Sequence, residues 1–247
     1  IEDLHQMRVS VRRMRATLKA ARPLLDPAWA DDLRAELGWL GGALGPVRDL
    51  DVMLERLRGE TAGLPATERE AGEVLVATLD RERAGARAAM VEALDDPRYP
   101  ALLERLADAV TRPLPPGPAE DRPSLVELAQ AQARALGKAV GRAGEDPPDE
   151  VLHALRIRGK RVRYTGELVA PGLRGTRAGE VVRRLLGATA RLQEVLGDHQ
   201  DACVAELRLR EMVAELGDTP DPTVVFVAGR LVEREQRPDH AEQSHQQ

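Results

Sequence analysis

The sequence predicts an all-α protein made of tandem duplicated helical bundles. Three observations carry that reading. Apolar residues make up 43% of the 247, yet only two Trp, two Tyr and one Phe are present. The core must therefore rest on Leu, Val and Ala, a mix that favours helices over strands. Helical periodicity runs almost throughout the chain, and its two halves repeat one another.

The first helix is expected near 3–22, with Met7, Val11, Met14 and Leu18 as its apolar stripe and Arg22-Pro23 as its stop. Asp26-Pro27 sets a capping acid before a proline that tolerates a first turn, which starts a second helix over 28–58. Gly41-Gly42 and Gly45-Pro46 lie inside it and should kink or break it. Gly63 to Pro65 and Asp95 to Pro97 bound a third helix over 66–94 and a fourth over 98–111. Arg112 to Ser124 reads RPLPPGPAEDRPS, with four prolines within six residues, and cannot be helical.

Helices follow over 124–144 and 149–169, the latter with Asp149 and Glu150 at the positive end of its dipole. Pro171-Gly172 precedes a long helix over 175–216, and Asp221-Pro222 repeats the capping device before a last one over 222–236. The expected organisation is a first repeat over 1–112, a Pro-rich linker over 113–123 and a second repeat over 124–237. A polar tail over 238–247, with His240 and His245, is expected to be disordered.

The repeat is explicit when His5 is set against His153. Arg8 then falls on Arg156, Val9 on Ile157, Arg12 on Lys160, Arg13 on Arg161 and Arg15 on Arg163. About forty residues further on, LGPVRD (44–49) matches LGDHQD (196–201). The helix over 124–144 has no counterpart before His5, so the first repeat is expected to lack its leading helix.

One cysteine, Cys203, excludes a disulfide framework or a multi-thiolate zinc site, and its place among Val and Leu suggests packing. No apolar run approaches the roughly 18–20 residues of a membrane span, and no signal-peptide pattern is present. The expectation is a soluble, reduced, cytoplasmic protein whose numbering, starting at Ile1, begins inside a longer chain.

The net charge of −5, from 36 basic and 41 acidic residues, conceals a segregation. His5 to Leu25 holds six cations (Arg8, Arg12, Arg13, Arg15, Lys19, Arg22) and no acid. Val151 to Tyr164 holds five (Arg156, Arg158, Lys160, Arg161, Arg163) and no acid. At 100° per residue, His5, Arg8, Arg12, Arg15, Lys19 and Arg22 share one helix face, and so do His153, Arg156, Lys160 and Arg163. Arg13 and Arg161 fall off the stripe, near Val9 and Ile157. From His5 to Lys19 the stripe covers roughly 21 Å.

Like charges at i and i+4 each cost a helix a few tenths of a kcal/mol, so a compensating polyanion is expected. Guanidinium forks suit phosphate oxygens. Only Lys19, Lys138 and Lys160 of the basic residues are lysine, so arginine abundance is partly a compositional habit.

LHQMRVSVRRMRATLKAARPLL, then LGPVRDLDV, then LHALRIRGKRVRYTGELVAP, then LQEVLGDHQDACV together resemble the CHAD domain (conserved histidine α-helical domain) over essentially the whole chain. The resemblance implies two four-helix bundles related by pseudo-twofold symmetry, with basic helices lining a central groove. It also implies non-enzymatic binding of inorganic polyphosphate, for which sulfate or phosphate could stand in within crystals. Carried over, the binding positions are His5, Arg8, Arg12, Arg13, Arg15 and Lys19, then His153, Arg156, Lys160, Arg161 and Arg163. Arg48 is added to them, and Tyr164 as a hydrogen-bond donor or a core-edge residue. Lys19 corresponds to Glu167, so the second stripe is a turn shorter and ends in an acid.

Asp49, Asp51, Asp198 and Asp201 are expected to accept hydrogen bonds from stripe arginines and hold them in place. A divalent ion held there with His199 is the alternative, but no metal and no cofactor is expected. The protein is not expected to be an enzyme. One rival reading is an accessory domain of a triphosphatase or phosphohydrolase, with a CYTH-type domain upstream; the Glu-x-Glu-x-Lys signature of such a domain is absent here. Another is a general polyanion binder; nucleic acid is disfavoured because stacking residues are scarce. A scaffold at polyphosphate granules in the cytoplasm fits the leading reading. Changing Arg8 and Arg156 together should cost more binding than changing Arg83 and Arg87.

Overall fold

The structure, a computed structural model, describes residues 2–118, 123–217 and 219–235. Among them are eight α-helices: α1 Glu2–Ala21, α2 Pro27–Ala62, α3 Ala66–Asp95, α4 Arg98–Thr111, α5 Leu125–Ala143, α6 Asp149–Val169, α7 Arg177–Glu215 and α8 Pro222–Glu235. Short 3-10 turns at Arg22–Leu24 and Ala170–Leu173 follow α1 and α6, each containing a proline that cannot continue the helix. The all-α prediction holds, with boundaries within a few residues of those expected.

Several starts form as their sequences dictate. Asp26 Oδ1 accepts from the Trp29 amide at 2.8 Å, and Asp221 Oδ1 accepts from the Thr223 amide at 2.7 Å. Ser124 and Glu127 make a reciprocal capping box at the start of α5. There the Ser124 amide and hydroxyl hold the Glu127 carboxyl below its ordinary range.

Of the kink or break expected in α2, the break does not occur: the helix runs on through Gly41-Gly42 and Gly45-Pro46, although Pro46 lies inside it and supplies no amide. Leu37 and Leu40 before these residues, Leu44 between the two pairs and Val47 after them are all nearly fully buried. Burial on both sides outweighs the local propensity of the break. The chain divides into two compact units, crossing after Gly42, after Ala93 and after Gly197: Ile1–Gly42 with Leu94–Gly197, and Ala43–Ala93 with Asp198–Gln247. Each unit thus draws on both sequence halves, and the glycines mark where α2 and α7 pass from one unit to the other.

The second unit is packed around Leu54, Leu57, Leu75, Leu79, Leu209, Met212, Val227 and Leu231. Ion pairs tie its helices at the rim: Arg58 with Asp80, Arg208 with Glu82, Arg230 with Glu68, and Arg234 with Glu60. Burial lowers the affinity of the Arg208 guanidinium for its proton, but Glu215, Glu211 and Glu82 outweigh it and leave the pKa raised.

In the first unit, Leu136, Leu155, Val162 and Leu196 form a core joining α5, α6 and α7. α4 is fixed to α2 by Arg98, which gives a two-pronged hydrogen bond to Glu36 at 2.6 and 3.0 Å. Its guanidinium lies 4.6 Å from the centre of the Trp39 ring. The described part of the Pro-rich segment is non-helical, as expected. It is pinned to the turn after α1, where the Asp26 amide donates to the Pro115 carbonyl and the Gly117 amide donates to the Leu24 carbonyl. A Cβ on Gly117 would come within 2.7 Å of the Leu25 carbonyl oxygen, so only glycine fits. His240 and His245 lie outside the described residues.

Candidate functional site

Both basic helices belong to the first unit and pack directly on one another. Their ends suit helix dipoles: Glu2 and Asp3 open α1, Lys19 lies in its last turn, and Asp149 and Glu150 open α6. α1 buries Val11 and half-buries Met7, Met14 and Leu18, while α6 buries Leu155 and Val162, so the apolar faces fall as the periodicity predicts.

Small residues let both helices approach the long helices behind them. A Cβ on Gly41 would sit 3.5 Å from Val11 of α1, and one on Gly159 of α6 would sit 3.7 Å from Gln193 of α7. Exposed cations line both helices, although the Arg15 guanidinium reaches back onto α2, where a Cβ on Gly41 would sit 3.6 Å from its Nη1. Arg12, Arg13, Arg15 and Lys19 are exposed on α1, with His5 and Arg8 half-buried. His153, Arg161 and Arg163 are exposed on α6, with Arg156, Lys160 and Tyr164 half-buried.

The sequence places no acid within either stripe, yet the structure brings one to them. Glu167, one turn beyond Arg163, accepts from Arg163 Nε at 3.0 Å and pairs with Arg13 Nη2 of α1 at 2.8 Å. Its side chain is 22% exposed, against 61% for Arg13 and 46% for Arg163. Arg163 also donates to Gln193 Oε1 at 3.5 Å. Part of the like-charge repulsion between the two helices is thereby offset from within. The i+4 spacing from Arg163 to Glu167 was readable in the sequence; the reach across to Arg13 and the seat of Gln193 were not.

Among the described residues, no hydrogen bond or ion pair engages the guanidinium of Arg12, Arg15 or Arg161. The buried Nε of Arg156 and the buried Nε2 of Gln193 have no hydrogen-bond partner there. Arg22, at the end of the first stripe, is committed to Asp31, and elsewhere Arg98 is tied to Glu36 and Arg105 to Asp32, while other exposed arginines such as Arg134, Arg184 and Arg191 have no acid engaged among the described residues.

Arg48, Asp49, Asp51, Asp198 and Asp201 lie in the second unit. Asp51 departs from its expected role. It is buried, and it accepts from Arg83 of α3 rather than from a stripe arginine. Hence Asp51 ties α2 to α3, a partner no local pattern signals. On α7, Cys203 Sγ lies 3.7 Å from His199 Nε2, one turn away. A cleft of about 400 Å³ at the turn between α6 and α7 is lined by Leu173, Arg174, Thr176 and Arg183 and takes in none of the stripe residues.

The family model of the CHAD domain matches residues 1–210. Uncharacterized proteins from two strains of Mycobacterium tuberculosis are each 31% identical over 246 residues, covering 95% of this chain and 44% of theirs. The chain therefore spans less than half the length of these curated relatives. PptA from Streptomyces chartreusis superposes with a TM-score of 0.76 at 26% identity, covering 98% of this chain and 86% of that one. The CHAD domain of the plant Ricinus communis gives 0.69 at 30% identity, covering 97% and 78%.

Proposed function

The chain belongs to the CHAD domain family, and from that premise we propose that it binds inorganic polyphosphate, without catalysis, on the cationic faces of α1 and α6. One observation carries the reading. In a chain of net charge −5, acids satisfy arginines at helix contacts, while Arg12, Arg15 and Arg161 stay exposed on two adjoining helices with no acid engaged. Such a surface attracts a flexible polyanion whose phosphates are spaced closely enough to meet successive guanidiniums. Binding is chiefly electrostatic, so affinity grows with chain length and falls steeply with salt as counterions are released.

His5, Arg8, Arg12, Arg13, Arg15 and Lys19 contribute from α1; His153, Arg156, Lys160, Arg161, Arg163 and Tyr164 contribute from α6. No helix among the described residues is long and apolar enough to cross a membrane. We place the activity in the cytoplasm, at polyphosphate granules.

The test is binding of the purified chain to polyphosphates of about 3 to about 100 phosphates, at low and high salt, with single-stranded DNA and RNA of matched charge as competitors. The expected result is affinity that rises with polyphosphate length and survives excess nucleic acid. Equal, weak binding to every polyanion overturns the reading. Phosphate release by the chain alone with Mg²⁺ or Mn²⁺ overturns the non-enzymatic part.

A further inference from the structure

We infer that Glu167 is an internal competitor for the polyphosphate surface, one that sets a minimum length for the polyanion the chain retains. The inference rests on the proposed function. Its starting point is a contact the basic pattern does not call for: one carboxylate engages cations of both helices, Arg163 at 3.0 Å through Oε1 and Arg13 at 2.8 Å through Oε2. Each oxygen of Glu167 thus mimics the phosphate oxygen that the same guanidinium would otherwise take.

The place of this contact matters as much as its chemistry. Glu167 stands where the repeat would set a counterpart of Lys19, so a cation is replaced by an anion at the end of the second stripe. Its side chain is less exposed than either arginine, and the carboxylate is held on its own helix by the turn from Arg163. Incoming phosphate competes with a tethered carboxylate for Arg13 Nη2 and Arg163 Nε.

Displacement depends on length. A short anion such as tripolyphosphate competes with the tethered carboxylate on its own and loses, because the tether gives Glu167 a high effective concentration at the arginines. A long chain anchored on Arg12, Arg15 and Arg161 carries its next phosphates past Arg13 and Arg163 at comparable effective concentration, and it exchanges them for Glu167. Glu167 therefore discriminates against short phosphates rather than against binding as a whole. Released from the arginines, its carboxylate is rehydrated in place.

The test compares wild type with Glu167→Gln for binding tripolyphosphate and a polyphosphate of about 100 units at low salt. The expected result is a gain of roughly tenfold for the short anion, no more than about twofold for the long one, and a steeper salt dependence for the short anion. Weaker binding at both lengths would overturn the inference, since Glu167 would then be orienting the arginines. Unchanged binding at both lengths would overturn it too. Wild type that binds no polyphosphate of any length overturns the proposed function itself, and the inference with it. Should Glu167→Gln lose the wild-type circular dichroism, Arg13→Gln reads the same contact from its other side. That variant is expected to lower affinity severalfold for the long chain and by a smaller factor for tripolyphosphate; equal fold-losses at both lengths would overturn the inference.

Discussion

The guanidinium of Arg15 lies against Gly38 of α2: a Cβ on that glycine would sit 3.5 Å from its Nη2, at ordinary van der Waals distance. Glycine in a helix interior costs roughly 0.5–1 kcal/mol relative to alanine. Gly38→Ala is therefore expected to raise stability by about that amount, read from the urea midpoint, while changing polyphosphate affinity less than about twofold. Gly38→Leu needs the space Arg15 occupies. It should weaken polyphosphate binding while helix content is kept, and equal binding by both variants would show that Arg15 is no part of the surface.

Replacing Arg12 and Arg15 together by Ala removes two exposed cations that no acid engages. Each lost phosphate contact should lower the slope of log affinity against log salt by about one, with roughly tenfold weaker binding at low salt for the pair. The matching control is Arg87→Ala, an exposed arginine on α3. Arg83 does not serve as a control, because it is bound to buried Asp51 and its loss acts through stability. An Arg87 loss as large as the double loss would mean that the chain reads total charge only.

Helix positions were legible because they rest on local features. Asp26-Pro27, Ser124 and Asp221-Pro222 each start a helix where the sequence puts them. The basic faces of α1 and α6 were legible for the same reason, since a 3.6-residue period sorts Arg12 from Val11 without knowledge of any neighbour. What the sequence withheld depends on partners distant along the chain. Continuity of α2 through Pro46 follows from burial of Leu44 and Val47, which no propensity reports. Pairing of Glu167 with Arg13, and of Asp51 with Arg83, follows from helix contacts between residues more than thirty positions apart.

Gly117 gives a prediction at the Pro-rich segment. Its amide donates to the Leu24 carbonyl at 3.1 Å, and a Cβ there would meet a backbone oxygen of Leu25 that cannot rotate away. Gly117→Ala should cost about 1–3 kcal/mol through overpacking and make the segment easier for protease to cut. Unchanged proteolysis would show that the segment is held by other contacts.

Acid should loosen the first unit before it affects helix propensity. The Arg98 hydrogen bond holds the Glu36 carboxyl below its ordinary range, and that of Arg22 does the same for Asp31. The folded chain therefore binds fewer protons than the unfolded chain near about pH 4, so stability present at neutral pH is lost as pH falls through that range. The unfolding temperature should drop on acidification below about pH 5. Arg98→Gln should show a lower value at neutral pH and a shallower acid decline. A decline as steep as wild type would remove the Arg98–Glu36 pair from the account.

Asp51 and Arg83 supply the largest expected stability effect outside the basic faces. The Asp51 side chain is 6% exposed and that of Arg83 is 27%, and the buried Oδ2 of Asp51 has no hydrogen-bond partner among the described residues. Removing the cation alone leaves a carboxylate buried without its main compensation, which costs about 3–5 kcal/mol. Arg83→Gln is thus expected to lower stability by roughly 3 kcal/mol in urea unfolding. Combining Asp51→Asn with Arg83→Gln removes the stranded charge and should recover most of that loss, since a neutral replacement of a buried pair is often close to isoenergetic. Polyphosphate affinity of the folded double variant should match wild type, because neither residue lies on α1 or α6. A single-variant loss below about 1 kcal/mol would mean that water reaches Asp51 and that its burial is not what makes the pair matter.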